Sequence, residues 1–417
     1  MKHILILLLL STASLKGQGL LIPMDLNQTD HLKAYGVAYW ILERGIRVEW
    51  LLNFRGGSFM MAYDESSARR CRIWGVRFEI IDGSQTAQIY RTIEENNMEV
   101  ILLEKAPSIA VYTPPNKQPW DDAVTLALTY AEIPYETLWD ESVLNGKIMK
   151  YDWLHLHHED FTGQYGKFYA NYKNALWYIE QQRLYEAEAK RMGYQKVSQL
   201  KLAVARKVKQ YVLQGGFLFA MCSATDSYDI ALAAQNTDVC DMVFDGDPVA
   251  ADCQEGLEFD RCFAFENFLL YVSPMIYEFS DIDTTPLDQT AYRTGQNDYF
   301  TLFDFSAKYD PVPTMLTQNH AAVIHNFMGQ TTGFHRNRIK PSVLILAEKA
   351  GEDEVKYIHG NVGKGTFTFL GGHDPEDYKH LVGDPPTDLT LHKNSPGYRL
   401  ILNNILFPAA KKKKQKT

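Results

Sequence analysis

The stretch at residues 215–227, GGFLFAMCSATDS, constrains the fold of this chain more than any other. A helical run, KLAVARKVKQYVLQ, leads into it, and a pair of glycines stops that helix. Residues 217–221 are short and wholly apolar, which predicts a strand buried on both faces of a parallel sheet. Cys222 falls where the strand ends, and small polar residues open another helical pattern from Thr225. A strand, a sharp turn carrying a nucleophile-capable side chain and then a helix form the geometry of a nucleophile elbow. The same residues also fit a buried thiol beside a helix cap, with Ser223 or Thr225 as the capping residue.

The 417 residues are 46% hydrophobic and 22% charged, which suits a globular chain of two or three domains with ample core. A net charge of −9 excludes a nucleic-acid footprint on the body of the protein. Its one basic block, Lys411 to Lys414 with Lys416, reads as a solvated tail over 409–417. At the other end, Lys2 and His3 precede an apolar run at 4–10 and then STASLKGQG. That is a signal-peptide pattern over 1–18, too short for a membrane helix, and it predicts an exported, periplasmic or secreted protein. No later window holds 18 uncharged apolar residues, so no transmembrane segment is expected. Five cysteines leave one unpaired, and none has C-x-x-C spacing. Cys240, Cys253 and Cys262 are near enough in sequence for one disulfide.

Residues 19–105 alternate strand-like and helix-like runs: GLLIP, HLKAYGVAYWILERG, IRVEWLL, RIWGVRFEII, a helix near 84–96, and MEVILLE. Such alternation predicts a small N-terminal α/β unit with a parallel sheet covered on both faces. A second α/β unit takes in 106–234 and 341–408. Its strands are SIAVYTP, YETLWD, the run at 217–221, PSVLILAE, EVKYIHG and GTFTFLGG, and PGYRLILNNILF is its closing helix. Residues 235–340 lack periodicity and read as an irregular insertion or cap.

The second informative stretch is GKGTFTFLGGHDPEDY at 363–378. Its strand ends in two glycines, and His373, Asp374 and Glu376 follow at the strand's C-terminal end, where open α/β sheets collect ligands. A cysteine nucleophile needs a base, and the base needs a carboxylate to orient it. Cys222, His373 and Glu376 or Asp374 supply those roles, although the same residues also suit a capped turn. HLHHED is the third candidate. On a strand His155 and His157 share one face, with His158, Glu159 and Asp160 at its end. His155, His157 and Asp160 are a candidate metal set, or the histidines with Glu159, Ser223 and Asp226 wall a small-molecule site. FDGDP at 244–248 offers carboxylates for calcium without the alternating loop that binds it. The stripe Tyr165, Phe168, Tyr169, Tyr172, Trp177 and Tyr178 reads as core, or as a surface for stacking sugars.

GGFLFAMCSATDS and GKGTFTFLGGHDPEDY together resemble the trehalose-utilisation (ThuA-like) branch of the class I glutamine amidotransferase-like fold. The resemblance covers about residues 106–406 and implies a flavodoxin-like parallel sheet preceded by the smaller α/β unit. ThuA-like proteins usually carry histidine where this chain has Cys222. Class I glutaminases have G-x-C-x-G and H-P-E, whereas this chain has Ala220, Ala224 and the longer H-D-P-E. The whole chain, including LIPMD, HLKAYGVAYW and WLHLHHEDFTGQYGKFYA, is also similar to exported bacterial proteins labelled asparagine synthetase B. It lacks the S-G-G-x-D-S loop of a glutamine-hydrolysing synthetase. The resemblances imply an amidotransferase-like protein hydrolysing amide C–N bonds through Cys222, with no cofactor required. The alternative is a non-catalytic protein binding a small ligand or carbohydrate through the histidines.

Overall fold

The computed structural model of the chain describes residues 18–116, 118–156, 159–285, 299–316, 321–377 and 381–410. The first unit contains β1 (Gly19–Ile22), α1 (His31–Glu43), β2 (Val48–Leu52), β3 (Ser58–Ala62), α2 (Glu65–Trp74), β4 (Glu79–Ile81), α3 (Gly83–Glu95) and β5 (Glu99–Leu103). Its helices begin on aspartates: Asp30, Asp64 and Asp82 each accept a backbone N–H of the first turn. Ile73 and Trp74, expected in a strand, instead end α2, because Gly75 at φ +68° closes that helix and leaves only three residues for β4.

The small sheet is antiparallel throughout, not parallel as the alternation predicts; its order is β4-β1-β3-β2-β5. The reason is physical. A helical crossover makes the two strands it joins run the same way, but it does not make them neighbours. β1 and β2 do run parallel, and β3 lies between them because the tight loop at 53–57 folds it back on β2 as a hairpin.

The large sheet holds β6 (Ile109–Tyr112), β7 (Glu136–Leu138), β8 (Trp153–Leu156), β9 (Phe217–Met221), β10 (Tyr299–Leu302), β11 (Val323–His325), β12 (Leu344–Glu348), β13 (Val355–Val362) and β14 (Gly365–Leu370). Between and around them lie α4 (Ala123–Tyr130), α5 (Asp140–Leu144), α6 (Tyr169–Tyr172), α7 (Leu176–Arg191), α8 (Val197–Leu213), α9 (Ser223–Ala233), α10 (Met242–Asp245) and α11 (Pro396–Leu406). The strand order is β11-β10-β12-β13-β14-β9-β8-β6-β7. From β7 to β14 the strands are parallel; from β14 to β11 they are antiparallel. The sheet is therefore mixed, and residues 235–340, expected to be irregular, contribute β10 and β11 to one edge.

Alternate residues of the central strands face opposite layers. Trp153, Phe217 and Phe219 join the cluster that also contains Leu20, Trp50 and Phe59 of the small sheet and the buried faces of α1, α4 and α11. Leu154, Leu156, Leu218 and Ala220 pack against α8 and α9 on the other side. One hydrophobic core thus runs through both sheets. Arg399 of α11, fully buried, stitches the layers: its guanidinium donates to the carbonyls of Met24 and Gly56 and to the Tyr35 hydroxyl. β9, β14 and β8 run parallel and end at one edge, so the chain leaves β9 at Cys222 and β14 just before His373 on the same side of the sheet. No helix among the described residues is long and apolar enough to cross a membrane.

Candidate functional site

Cys222 leaves β9 at φ +54°, ψ −141° and is itself the N-cap of α9, which starts at Ser223 rather than Thr225. No side chain caps the helix; the Thr225 hydroxyl donates to the Cys222 carbonyl at 2.7 Å instead. Across the sheet, the Cys222 N–H donates to Leu370 of β14 at 3.3 Å. The thiol is buried, with the residue 2% exposed. The Gln330 N–H donates to its Sγ at 3.2 Å, and backbone N–H groups of Thr331 and Ser223 also face the sulfur. Those donors favour a thiolate, yet burial outweighs them and pushes the thiol up to about 11. The exposed, acidified thiol of a resting nucleophile is not what the fold builds.

The His373 backbone is set by Gly372, whose φ of +91° puts a would-be Cβ 1.8 Å from the Phe327 carbonyl, so only glycine fits. The His373 N–H donates to Met328 at 2.8 Å, and its side chain is buried. Gly329 separates histidine from cysteine: a Cβ there would fall 3.0 Å from Cys222 Sγ and 3.2 Å from His373 Cβ. The structure therefore brings Cys222 and His373 to one glycine.

The expected orienting carboxylates lie elsewhere. Asp374 Oδ1 accepts the N–H groups of Glu376 and Asp377, and Oδ2 accepts the hydroxyls of Thr387 at 2.9 Å and Tyr398 at 2.8 Å. It ties the turn after β14 to α11, and its burial raises its pKa. Glu376 pairs with His392 at 2.9 Å. Both acids follow the histidine in sequence, and each is engaged by the partners named here.

His155 sits in the core of β8, its Nδ1 3.1 Å from the Phe219 carbonyl and its Nε2 3.3 Å from Asp122. His157 and His158 lie outside the described residues. Glu159 accepts the Tyr185 hydroxyl at 3.0 Å, and Asp160 folds its own loop by accepting Thr162 and Gly166 N–H groups. His155 and Asp160, offered as metal ligands, are thus held by separate partners. Among the described residues one group has metal-like spacing, Asp238, Cys240 and Asp245, with ligand atoms within 4.8 Å. The Lys196 ammonium occupies it, 2.6 Å from Asp238 and 3.0 Å from Asp245, with Asp247 as a third carboxylate. The FDGDP acids therefore surround a lysine. All five cysteines are free thiols, so the expected disulfide among Cys240, Cys253 and Cys262 is not formed.

Ser223 and Asp226 are fully enclosed on α9. Cys222 and Ser223 line a cavity of about 40 Å³ together with Trp120, Phe168, Tyr277, Gln330 and Val382. Trp120 stacks on Phe168 at 5.3 Å, Trp177 stands edge-on to Trp120 at 5.5 Å, and Tyr277 meets Phe168 at 5.7 Å. The aromatic stripe therefore divides: Tyr165 and Tyr178 are core, whereas Phe168 and Trp177 build the wall above the thiol. Sequence reading missed Trp120, Tyr277 and Gln330. Trp120 had a signal in its place beside the aspartate that caps α4, whereas Tyr277 and Gln330 come from segments without periodicity. A larger cavity of about 300 Å³ opens between the start of α8 and the end of α9, beside Lys196 and Cys240.

No family profile and no curated protein matches the chain. Among solved structures, a cytoplasmic protein from Salmonella typhimurium is similar over 73% of this chain and all of its own, 100%, at 8% identity and a TM-score of 0.36. A second cytoplasmic protein, from Salmonella typhimurium LT2, gives 9% identity, the same coverages of 73% and 100%, and a TM-score of 0.34. A GH42 beta-galactosidase is similar over 66% of this chain and 29% of its own, at 12% identity and a TM-score of 0.27. Likenesses at these scores establish no shared fold.

Proposed function

We propose that the protein hydrolyses or transfers an amide C–N bond of a small substrate through Cys222, on a class I glutamine amidotransferase-like arrangement of the parallel strands. The observation that carries this reading is the Cys222 backbone, a non-glycine residue held at φ +54° between a strand and a helix. Such a conformation costs about 1–3 kcal/mol and persists where the surrounding fold over-determines it, most often at functional sites. Here it aims the sulfur into a cavity at the C-terminal edge of the parallel strands.

His373 takes the thiol proton as Sγ attacks the amide carbon, and an S–C bond forms. The C–N bond then breaks, and the amine leaves with the proton from His373. Water cleaves the thioester, releasing the acid and restoring the thiol. The N–H groups of Ser223, Gln330 and Thr331 stabilise negative charge at the sulfur during the first step. Asp374 and Glu376 take no part. The carboxamide enters the small cavity beside Cys222, and the rest of the substrate lies against Trp120, Phe168 and Tyr277, which line it. The signal-peptide pattern over 1–18 supports export, and with it a substrate met outside the cytoplasm.

The aromatic wall favours a second reading, a non-catalytic site in which Trp120 and Phe168 stack on a carbohydrate ring. His155 has no place in either, since Phe219 and Asp122 hold it.

Iodoacetamide, itself a small amide, separates the readings when Cys222 is followed by mass spectrometry from pH 5 to 9. The catalytic reading expects Cys222 to react in the folded protein before the other four buried thiols, and His373→Asn to slow it by about tenfold or more. Cys222 reacting only after unfolding would sink that reading, and quenching of tryptophan fluorescence by sugars would then test the second.

A further inference from the structure

The residue behind the thiol is Asp226, one helical turn into α9. Its side chain points back toward the start of the helix, as helical side chains do, and so toward Cys222. The residue is 0% exposed. Oδ1 accepts the Thr331 hydroxyl at 3.1 Å and the Ser227 N–H at 2.8 Å, whereas Oδ2 makes no hydrogen bond among the described residues. A bare, desolvated carboxylate oxygen is expensive, and a second buried acid, Asp283, faces the same carboxyl. Burial above all, and then the charge of Asp283, drive the Asp226 pKa well up.

Thr331 links this acid to the site. Its hydroxyl holds Asp226, its own N–H and that of Gln330 face the sulfur, and its carbonyl accepts the Gly372 N–H at 2.7 Å, one residue before His373. Lys356 of β13 grips the same loop from the opposite side through the carbonyls of Phe327 and Thr332. Asp226 also acts on Cys222, raising its thiol, and Tyr277 faces both Cys222 and Asp283, with Tyr172 and Glu278 beside it.

We propose that Asp226 is a positioning residue for the Cys222 thiol, held as a neutral acid that anchors Thr331, and so the N–H donors on the sulfur, without setting a negative charge beside it. The proposal rests on the reading of Cys222 as nucleophile.

The test compares Asp226→Asn, Asp226→Ala and Thr331→Val in the full chain by two readouts. Amide hydrogen exchange of residues 329–331 reports anchoring whether or not the thiol reacts. Exchange is expected to rise about tenfold or more in Asp226→Ala and Thr331→Val and to stay at the wild-type rate in Asp226→Asn, which mimics the neutral acid. The pH midpoint of Cys222 alkylation reports charge. It should be the same in Asp226→Asn as in the wild type, whereas a fall of about one pH unit or more would mean that Asp226 is ionised, overturning the proposal. Unchanged exchange in both Asp226→Ala and Thr331→Val overturns it equally. If the wild-type thiol fails to react at all, the nucleophile reading falls by itself, and the exchange comparison still decides whether Asp226 anchors the loop. Should Asp226→Ala not fold, Thr331→Val carries that arm.

Discussion

At the scale of single residues, adjacency in sequence misleads about chemistry. His373, Asp374 and Glu376 suggest a base with its orienting acid, but only the histidine shares a neighbour, Gly329, with the cysteine, and the two acids are held by other partners. Glu376 instead pairs with His392, whose side chain is 33% exposed. Glu376→Gln is therefore expected to leave Cys222 alkylation within about twofold of wild type and to cost no more than about 1 kcal/mol of stability, as partly exposed ion pairs do. Urea titration and the labelling assay read both effects, and a large loss of alkylation would restore the acid to the site. The thiol teaches a related lesson. Three backbone N–H groups face Cys222, and a sequence cannot display them, because Gln330 and Thr331 lie more than a hundred positions away.

At the scale of elements, much was legible. The strand at 217–221, the elbow after it, the strand at 365–370 with its glycines and the closing helix all stand where their local patterns put them. Each is encoded by consecutive residues: an unbroken apolar run, a glycine pair, a serine cap with Pro396 in the first turn. The small sheet was not legible, since helical crossovers determine strand direction and leave open which strand slips between. Joining of elements is also a tertiary matter, and Arg399 illustrates it. Its guanidinium fills the contact between α11 and the loop before β3. Removing it leaves buried carbonyls without donors, so Arg399→Ala should cost about 3 kcal/mol or more in urea unfolding. A loss below about 1 kcal/mol would show that the two sheets hold together without it.

At the scale of the whole molecule, buried acids make stability respond to pH in an unusual direction. Asp121 is raised to about 6, chiefly by burial and then by Asp374 facing it. A carboxyl raised on folding costs the native state nothing below its unfolded pKa; the penalty grows between about pH 4 and 6 and stands in full above the folded value. Asp121→Asn should match the wild type near pH 4 and exceed it at pH 7 by about 1 kcal/mol, a figure reduced for partial exposure. Thermal unfolding across that range measures the difference, and a gap that does not widen with pH would refute it. His359, lowered to about 4 by burial, works the opposite way and stays neutral in the core while the unfolded chain takes up its proton.

The sequence by itself determined the α/β character, the strand–elbow–helix at Cys222 and the arrival of His373 at the end of a second strand, because these follow from the order and periodicity of neighbouring residues. Only the tertiary structure decided the antiparallel order of the small sheet, the loop at 326–333 that covers the sulfur, the capture of Glu376 by His392 and the surrounding of Lys196 by aspartates. It also decided the state of the thiol. Burial and the partners it brings are properties of distant segments folded against one another, and they decide whether a cysteine at an elbow rests as an acid or as an anion.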